Sequence, residues 1–180
     1  IVDIGANMGA FSIYSAMSSK ISNIYSFEPS PINYKILQFN IEQNSLSNAV
    51  NIFNSAIYSE SGNKELSLGE SPLHSFHQIG KNDTRITVKC ITMHNIFDIV
   101  QNQNIDLLKL NCEGSEYKIL SNLSPNDFYK IKNIRLEYHN LPNIKKGGLG
   151  LCHLLKKNEY KIKRFTRYRG VSGFIWATRV

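Results

Sequence analysis

Short apolar runs separated by segments of helical period constrain this chain more than any other feature. Residues 1–5 (IVDIG), 24–29 (IYSFEP), 50–58 (VNIFNSAIY), 105–112 (IDLLKLNC) and 134–140 (IRLEYHN) read as five strands. Between them lie MGAFSIYSAMSSK, PINYKILQFNIEQN, HNIFDIV and SEYKILSNL, whose apolar residues recur mostly at helical spacing, with Pro31 where a helix can begin. Strands alternating with helices imply a parallel sheet covered on both faces. Near the end LCHLLKKNEY reads as a helix behind the glycine-rich KKGGLG, and YKIKRFTRY and SGFIWATRV read as two strands around a turn at Arg169 and Gly170. That pair must be antiparallel, because a parallel return needs a crossover of about a dozen residues or more. The predicted fold is therefore α/β: an open, doubly wound, mostly parallel sheet with an antiparallel hairpin at its C-terminal edge.

A length of 180 residues suits one domain, expected here over 1–180. Residues 65–103, after the SESGNK cluster, are the least regular part. SESGNK reads as a turn cluster, 69–83 as loop, ITVKCITM as a strand. No apolar run approaches the roughly 18 to 20 residues of a membrane span. The opening IVDIGANMG looks like the middle of a domain, so the chain is expected to start inside a longer protein. Three cysteines, with no CxxC spacing, predict reduced thiols and a cytoplasmic setting. His74, His77 and Cys90 offer no fourth ligand at a known spacing, so no metal is expected. The net charge is +7 and thickens toward the end, at Lys145-Lys146, Lys156-Lys157 and KIKRFTRYR, a tendency toward acidic partners.

In such sheets, ligands sit beyond the carboxyl ends of the strands. The first strand ends in DIGANMG. A dinucleotide fingerprint would place glycines at the first, third and sixth positions, but the third and sixth are Asn7 and Ala10. No P-loop lysine follows. Gly5 and Gly9 permit a tight turn and close backbone approach. Asp3 would repel a pyrophosphate and suits a cationic or zwitterionic ligand. Glu28, at the end of the second strand, is placed to accept from ribose hydroxyls. Together these features describe a nucleoside with a positive charge and no phosphates, as in S-adenosylmethionine. Singly, each residue has a plainer role: the glycines close a turn, Asp3 caps amides, Glu28 ends a strand in solvent.

VDIGANMG (2–9), FEPSP (27–31) and DLLKLNCEGSE (106–116) resemble the three motifs of the FkbM-type methyltransferases. NSAIYSESG (54–62) resembles that family's third-strand segment, and EYH (137–139) its fifth-strand end. The resemblance implies a Rossmann-like class I methyltransferase fold, S-adenosylmethionine as donor with S-adenosylhomocysteine as product, and O-methylation of a carbohydrate or other small natural product. It carries donor binding to Asp3, Gly5, Ala6, Asn7, Gly9 and Phe11, to Glu28 and Pro29, to Ser55 and Ala56, and to Asn111. Two positions depart from the pattern. Asn111 stands where the family has aspartate, and Met93-His94 where it often has Leu-Asp. An amide at 111 cannot abstract a proton but can still orient a hydroxyl or the donor's amino acid part.

Methyl transfer to a hydroxyl is an in-line displacement, helped by positioning and by a base that takes the hydroxyl proton. Asn111, Glu113, Glu137 and His139 all fall at the ends of the fourth and fifth strands. His139 is the expected base, with Glu137 as its orienting partner or as the alternative base, both on one face of a continuing strand. Glu113-Gly114 is expected to shape the site through a sharp turn, Lys109 to be structural or to pair with a strand-end acid, and Glu116 to serve either the site or the dipole of the following helix. Two other functions share this fold: an RNA methyltransferase, which requires a continuous positive path from 161–169 to the donor site, and a donor-binding module that has lost catalysis through Asn111.

Overall fold

The computed structural model describes residues 1–18, 23–68, 74–75, 84–140, 147–168 and 172–180. The turn at Arg169 and Gly170, Lys145-Lys146, His77 and most of the 69–83 loop lie outside the described residues. In chain order the elements are β1 (Val2–Ile4), α1 (Ala10–Ser18), β2 (Ile24–Phe27), α2 (Pro31–Gln43), β3 (Val50–Phe53), β4 (Ala56–Ile57), β5 (Gly62–Leu68), β6 (His74–Ser75) and β7 (Thr84–Ile91). They continue with α3 (Met93–Ile99), β8 (Ile105–Leu110), α4 (Glu116–Ser121), α5 (Pro125–Tyr129), β9 (Ile131–His139), α6 (Gly147–Lys157), β10 (Tyr160–Phe165) and β11 (Ser172–Arg179).

One sheet runs β10-β11-β9-β8-β1-β2-β3. β1 pairs in parallel with β2 on one side and β8 on the other, and β8 pairs in parallel with β9. β11 runs antiparallel to both β9 and β10, which is the expected edge hairpin. Strand order reverses at β1, so the crevice beyond β1 and β8 is the switch point where open α/β sheets bind ligands. β1 is buried throughout, as a central parallel strand covered on both faces should be. β9 alternates: Ile134, Leu136 and Tyr138 enter the core, while Arg135, Glu137 and His139 share the opposite, partly buried face.

Several described elements differ from the sequence expectation, among them α5 and β6, which it did not include. Residues 50–58 are two strands: β3 joins the main sheet, whereas β4 joins a second sheet of order β4-β7-β5-β6. Residues 62–64, expected as a turn, begin β5, which pairs antiparallel with β7 along Gly62 to Leu68. Its outer residues are polar, so the strand is supported by β7 and by Leu66 in a small core of its own with Ala56, Val88 and Cys90. Finally, α6 starts at Gly147, inside the glycine-rich stretch. A Cβ on Gly148 would press into the Tyr138 ring, so this glycine lets the helix lie close on β9.

Candidate active site

The loop after β1 turns through left-handed backbone at Gly5 (φ 76), Asn7 (φ 52) and Gly9 (φ 92). A Cβ on Gly5 would collide with the carbonyl oxygen of Asn111, so Gly5 allows the ends of β1 and β8 to touch. Gly9 faces Leu37 of α2 in the same way. Gly5 and Ala6 donate their amides to the Phe27 carbonyl, fastening the loop to the end of β2. Beside it Glu28 is 4% exposed. Its Oε2 accepts the Asn7 amide at 2.8 Å and its Oε1 the Ser30 amide at 2.9 Å. Burial pushes the Glu28 carboxyl up, and these backbone bonds and the Lys109 charge oppose the shift. The Asn33 side chain adds a third hydrogen bond, and the carboxylate keeps acceptor capacity for a ligand hydroxyl. Glu28 lines a cleft together with Gly5, Asn7, Pro29, Ser55, Ala56, Ile57, Leu66, Asn111 and Glu113. The second sheet thus supplies one wall, and Ser55 sits at the break that separates β3 from β4.

Asp3 lies beneath this loop, fully buried. Ser12 donates to its Oδ2 at 2.6 Å, and the Lys109 ammonium stands 2.8 Å from its Oδ1 as a close ion pair. Lys109 directs its hydrogen bond to the Gly5 carbonyl, also at 2.8 Å. The Asp3 charge is therefore met within the protein, and Asp3 and Lys109 together support the turn. Ala6 is buried, and Phe11 faces a second cleft of about 510 Å³ over β8, β9, β11 and β10, with Lys109, Arg135, Glu137, Arg164 and Trp176. Asn111 lines both clefts. Its Oδ1 is buried and has no hydrogen-bond partner among the described residues. An orphaned buried acceptor costs stability unless a donor reaches it.

After β8 the chain reverses through Glu113 (φ 50) and Gly114 (φ 104). Glu113 Oε2 lies 3.3 Å from His139 Nε2, and Glu116 Oε1 lies 3.3 Å from His139 Nδ1. Two carboxylates thus bracket the ring. Burial pulls the imidazole down, but Glu116, then Glu113 and Glu137, outweigh it and leave His139 above its ordinary range. Burial pushes the Glu113 carboxyl up, Glu116 and Glu137 add to the rise, and His139 opposes it. The fold brings Glu113 and His139 together, and Asn111 lines the first cleft with Glu113. Glu137 shares their face but touches the ring only through its charge; the carboxylates that orient His139 are Glu113 and Glu116. Glu116 acts in the helix's first turn and in the site at once. The acid spacing E-G-x-E is the sequence signal for this, but burial of the second acid is not visible in it. Cys90, raised as a metal candidate, is packed in the core of the second sheet, and Met93 is buried at the start of α3. No described helix is long and apolar enough to cross a membrane.

Residues 3–162 match the family model of the Methyltransferase FkbM domain. The chain is similar to Methyltransferase sdnD of Sordaria araneosa, 26% identical with 76% of this chain and 65% of that protein covered. It is also similar to Methyltransferase 1 of Beauveria bassiana, 24% identical with 76% and 63% covered. The chain thus spans somewhat under two thirds of the length of these relatives. Among solved structures it resembles a methyltransferase FkbM from Methylobacillus flagellatus, at TM-score 0.65 and 16% identity over 97% of this chain and 42% of that one. It resembles M. capricolum TrmK in complex with S-adenosylhomocysteine at TM-score 0.58 and 18% identity, over 99% of this chain and 60% of that one. The architecture is that of the Rossmann-like methyltransferases, and the chain belongs to the FkbM methyltransferase family.

Proposed function

We propose that this chain is an S-adenosylmethionine-dependent O-methyltransferase acting on a hydroxyl of a carbohydrate or other small natural product. The observation that carries the donor assignment is the convergence of the buried carboxylate of Glu28 and of Asn111, a residue with an unpaired side-chain oxygen, on one cleft at the switch point. Glu28 accepts from the ribose hydroxyls, and Asn7 fixes that carboxylate through its amide. Asn111 accepts from the donor's amino group. Pro29, Ala56, Ile57 and Leu66 form the apolar wall toward the adenine. Asp3, Gly5, Ala6 and Gly9 hold the turn, and Phe11 closes its outer side. When bound, the donor supplies a sulfonium methyl for in-line transfer. The protein's part is to align the acceptor hydroxyl and remove its proton.

The proton is received at the Glu113–His139 pair. Glu113 lines the donor cleft, and burial makes its carboxylate a stronger base than an exposed one. His139 stands against it, 3.3 Å away, and can share the proton that Glu113 receives. Glu137, on the second cleft, is the alternative base. The test is incubation of methyl-labelled donor with a panel of hydroxyl acceptors, with the product identified by mass. A methyl ether on a sugar or small molecule is expected. Label found only on nitrogen or carbon, or only in RNA, would overturn the assignment. With the acceptor identified, Glu113→Gln and His139→Ala should each lower turnover by roughly a hundredfold or more at nearly unchanged donor affinity. A larger loss in Glu137→Gln would move the base to the second cleft.

One observation favours an RNA methyltransferase of the same fold: Arg164, Arg135 and Lys109 line a single cleft that reaches Asn111. Two of these cations are already committed. Lys109 pairs with Asp3, and Arg135 donates to the carbonyls of Ile134 and Ala177. The positive path is therefore weak where it meets the donor site, which favours the small acceptor.

A further inference from the structure

We infer that Glu116 is a positioning residue of this site, holding His139 and the 112–114 turn so that Glu113 is presented to the acceptor. The inference rests on the assignment of proton removal to the Glu113–His139 pair. It begins from a burial anomaly. Glu116 is 1% exposed, although it opens a helix of only six residues at the molecule's working edge. A buried carboxylate is costly unless its oxygens are met. The groups that meet it come from the reacting ends of two strands: the Cys112 amide at 2.9 Å, the Gly114 amide at 3.0 Å, and His139 Nδ1 at 3.3 Å. An acid serving only the helix dipole would remain exposed and bind amides of its own helix. Glu116 reaches backward, out of α4.

The amides it takes flank Glu113, a residue with a side chain held in left-handed backbone (φ 50). Such backbone costs about 1–3 kcal/mol and persists only where the surroundings over-determine it. Two bonds to one buried carboxylate, with Gly114 also left-handed, do that here. The same carboxylate fixes the ring. With Nδ1 turned to Glu116, Nε2 must face Glu113, the acid that lines the donor cleft. A buried acid orients an imidazole, and the imidazole addresses the group that meets the substrate, a division of labour known from hydrolytic triads. Among the described residues, the charged groups facing His139 are Glu116 from α4, Glu113 from the turn and Glu137 from β9. Opposite it on β11 stands Ser172, which carries no charge.

The test follows the His139 ring by NMR in the full chain, its resonance assigned by its loss in His139→Gln. In Glu116→Gln the ring should titrate at lower pH than in the parent, because the charge that favours imidazolium is gone. The kcat for the identified acceptor should fall about tenfold or more, with its pH profile displaced in the same direction, while the dissociation constant for S-adenosylhomocysteine stays within a few-fold. Glu116→Asp keeps the charge but shortens the reach. Its His139 midpoint should lie between those of the parent and Glu116→Gln, which keeps the test decisive if the glutamine variant folds poorly. An unchanged His139 titration and unchanged kcat in a folded variant would show that Glu116 only caps α4. Failure of the parent to bind S-adenosylhomocysteine would instead sink the methyltransferase assignment, and the NMR comparison would still decide the Glu116–His139 coupling.

Discussion

Gly5 shows how a single residue in a binding motif serves the fold first. Its φ of 76 and its contact with the Asn111 carbonyl leave no room for a side chain. Gly5→Ala should therefore lower unfolding stability by about 1–3 kcal/mol, read in denaturant melts, with donor affinity falling as the β1 and β8 ends separate. An equally stable Ala variant would contradict the geometry. The motif made Gly5 legible in the sequence, but not its neighbour, because Asn111 is distant in the chain. Asp3 was legible in part: Lys109 suggested a strand-end acid as partner, but which acid shows only in the fold, where Asp3 pairs with that lysine. The bracketed imidazole has its own pH signature. A His139 raised above its ordinary range contributes stability that is full below that range and is lost as pH rises through the folded value. Glu113, also raised, resists ionisation when folded, so its contribution is likewise greatest at low pH and is lost as pH climbs from the ordinary carboxylate range to its raised value. Thermal melts of the parent should show stability falling through both windows, and the fall should be shallower in a Glu113→Gln, His139→Gln double variant. A double variant with the parent's slope would show that neither shift exists.

Among the elements, the break between β3 and β4 matters most to the site. Asn54 stands at that break and donates from Nδ2 to the Glu28 carbonyl at 2.9 Å and the Pro29 carbonyl at 3.1 Å, tying the end of β2 to the point where the chain leaves the main sheet. Asn54→Ala should cost about 1 kcal/mol in denaturant unfolding, the scale of an ordinary hydrogen bond, and should weaken donor binding through the misplaced Glu28 backbone. Full retention of both would remove Asn54 from the account. β1, β2, β8 and β9 and most of the helices beside them were legible because their apolar period is strong; the five-residue α5 was not. The second sheet was legible only in part: β7 carries alternating apolar residues, whereas β5 begins Gly62-Asn63-Lys64-Glu65 and buries side chains at Leu66 and Ser67. Period cannot identify a strand whose first half has no buried face. The start of α6 was hidden for another reason. Glycines that break an isolated helix are tolerated where a ring such as that of Tyr138 fills the place of their side chains.

At the scale of the whole molecule, the +7 charge and the Arg135–Trp176–Arg164 stack give the open sheet face a positive character. For a small acceptor, activity should change little between low and physiological salt. For RNA, it should fall steeply, since each phosphate contact released adds to the salt dependence. A steep salt profile with a neutral acceptor would mean that the charge acts on something other than acceptor binding. The most direct test of the central claim is calorimetric titration of S-adenosylhomocysteine into the folded chain, with Glu28→Ala beside it. The account requires one site per chain. It also requires an affinity loss of about tenfold or more in the variant, because a buried carboxylate holding ribose hydroxyls makes bonds worth roughly 1.5–3 kcal/mol each. No heat and no thermal shift in the folded parent with either S-adenosylmethionine or S-adenosylhomocysteine would contradict it, as would a Glu28→Ala protein that binds as tightly as the parent.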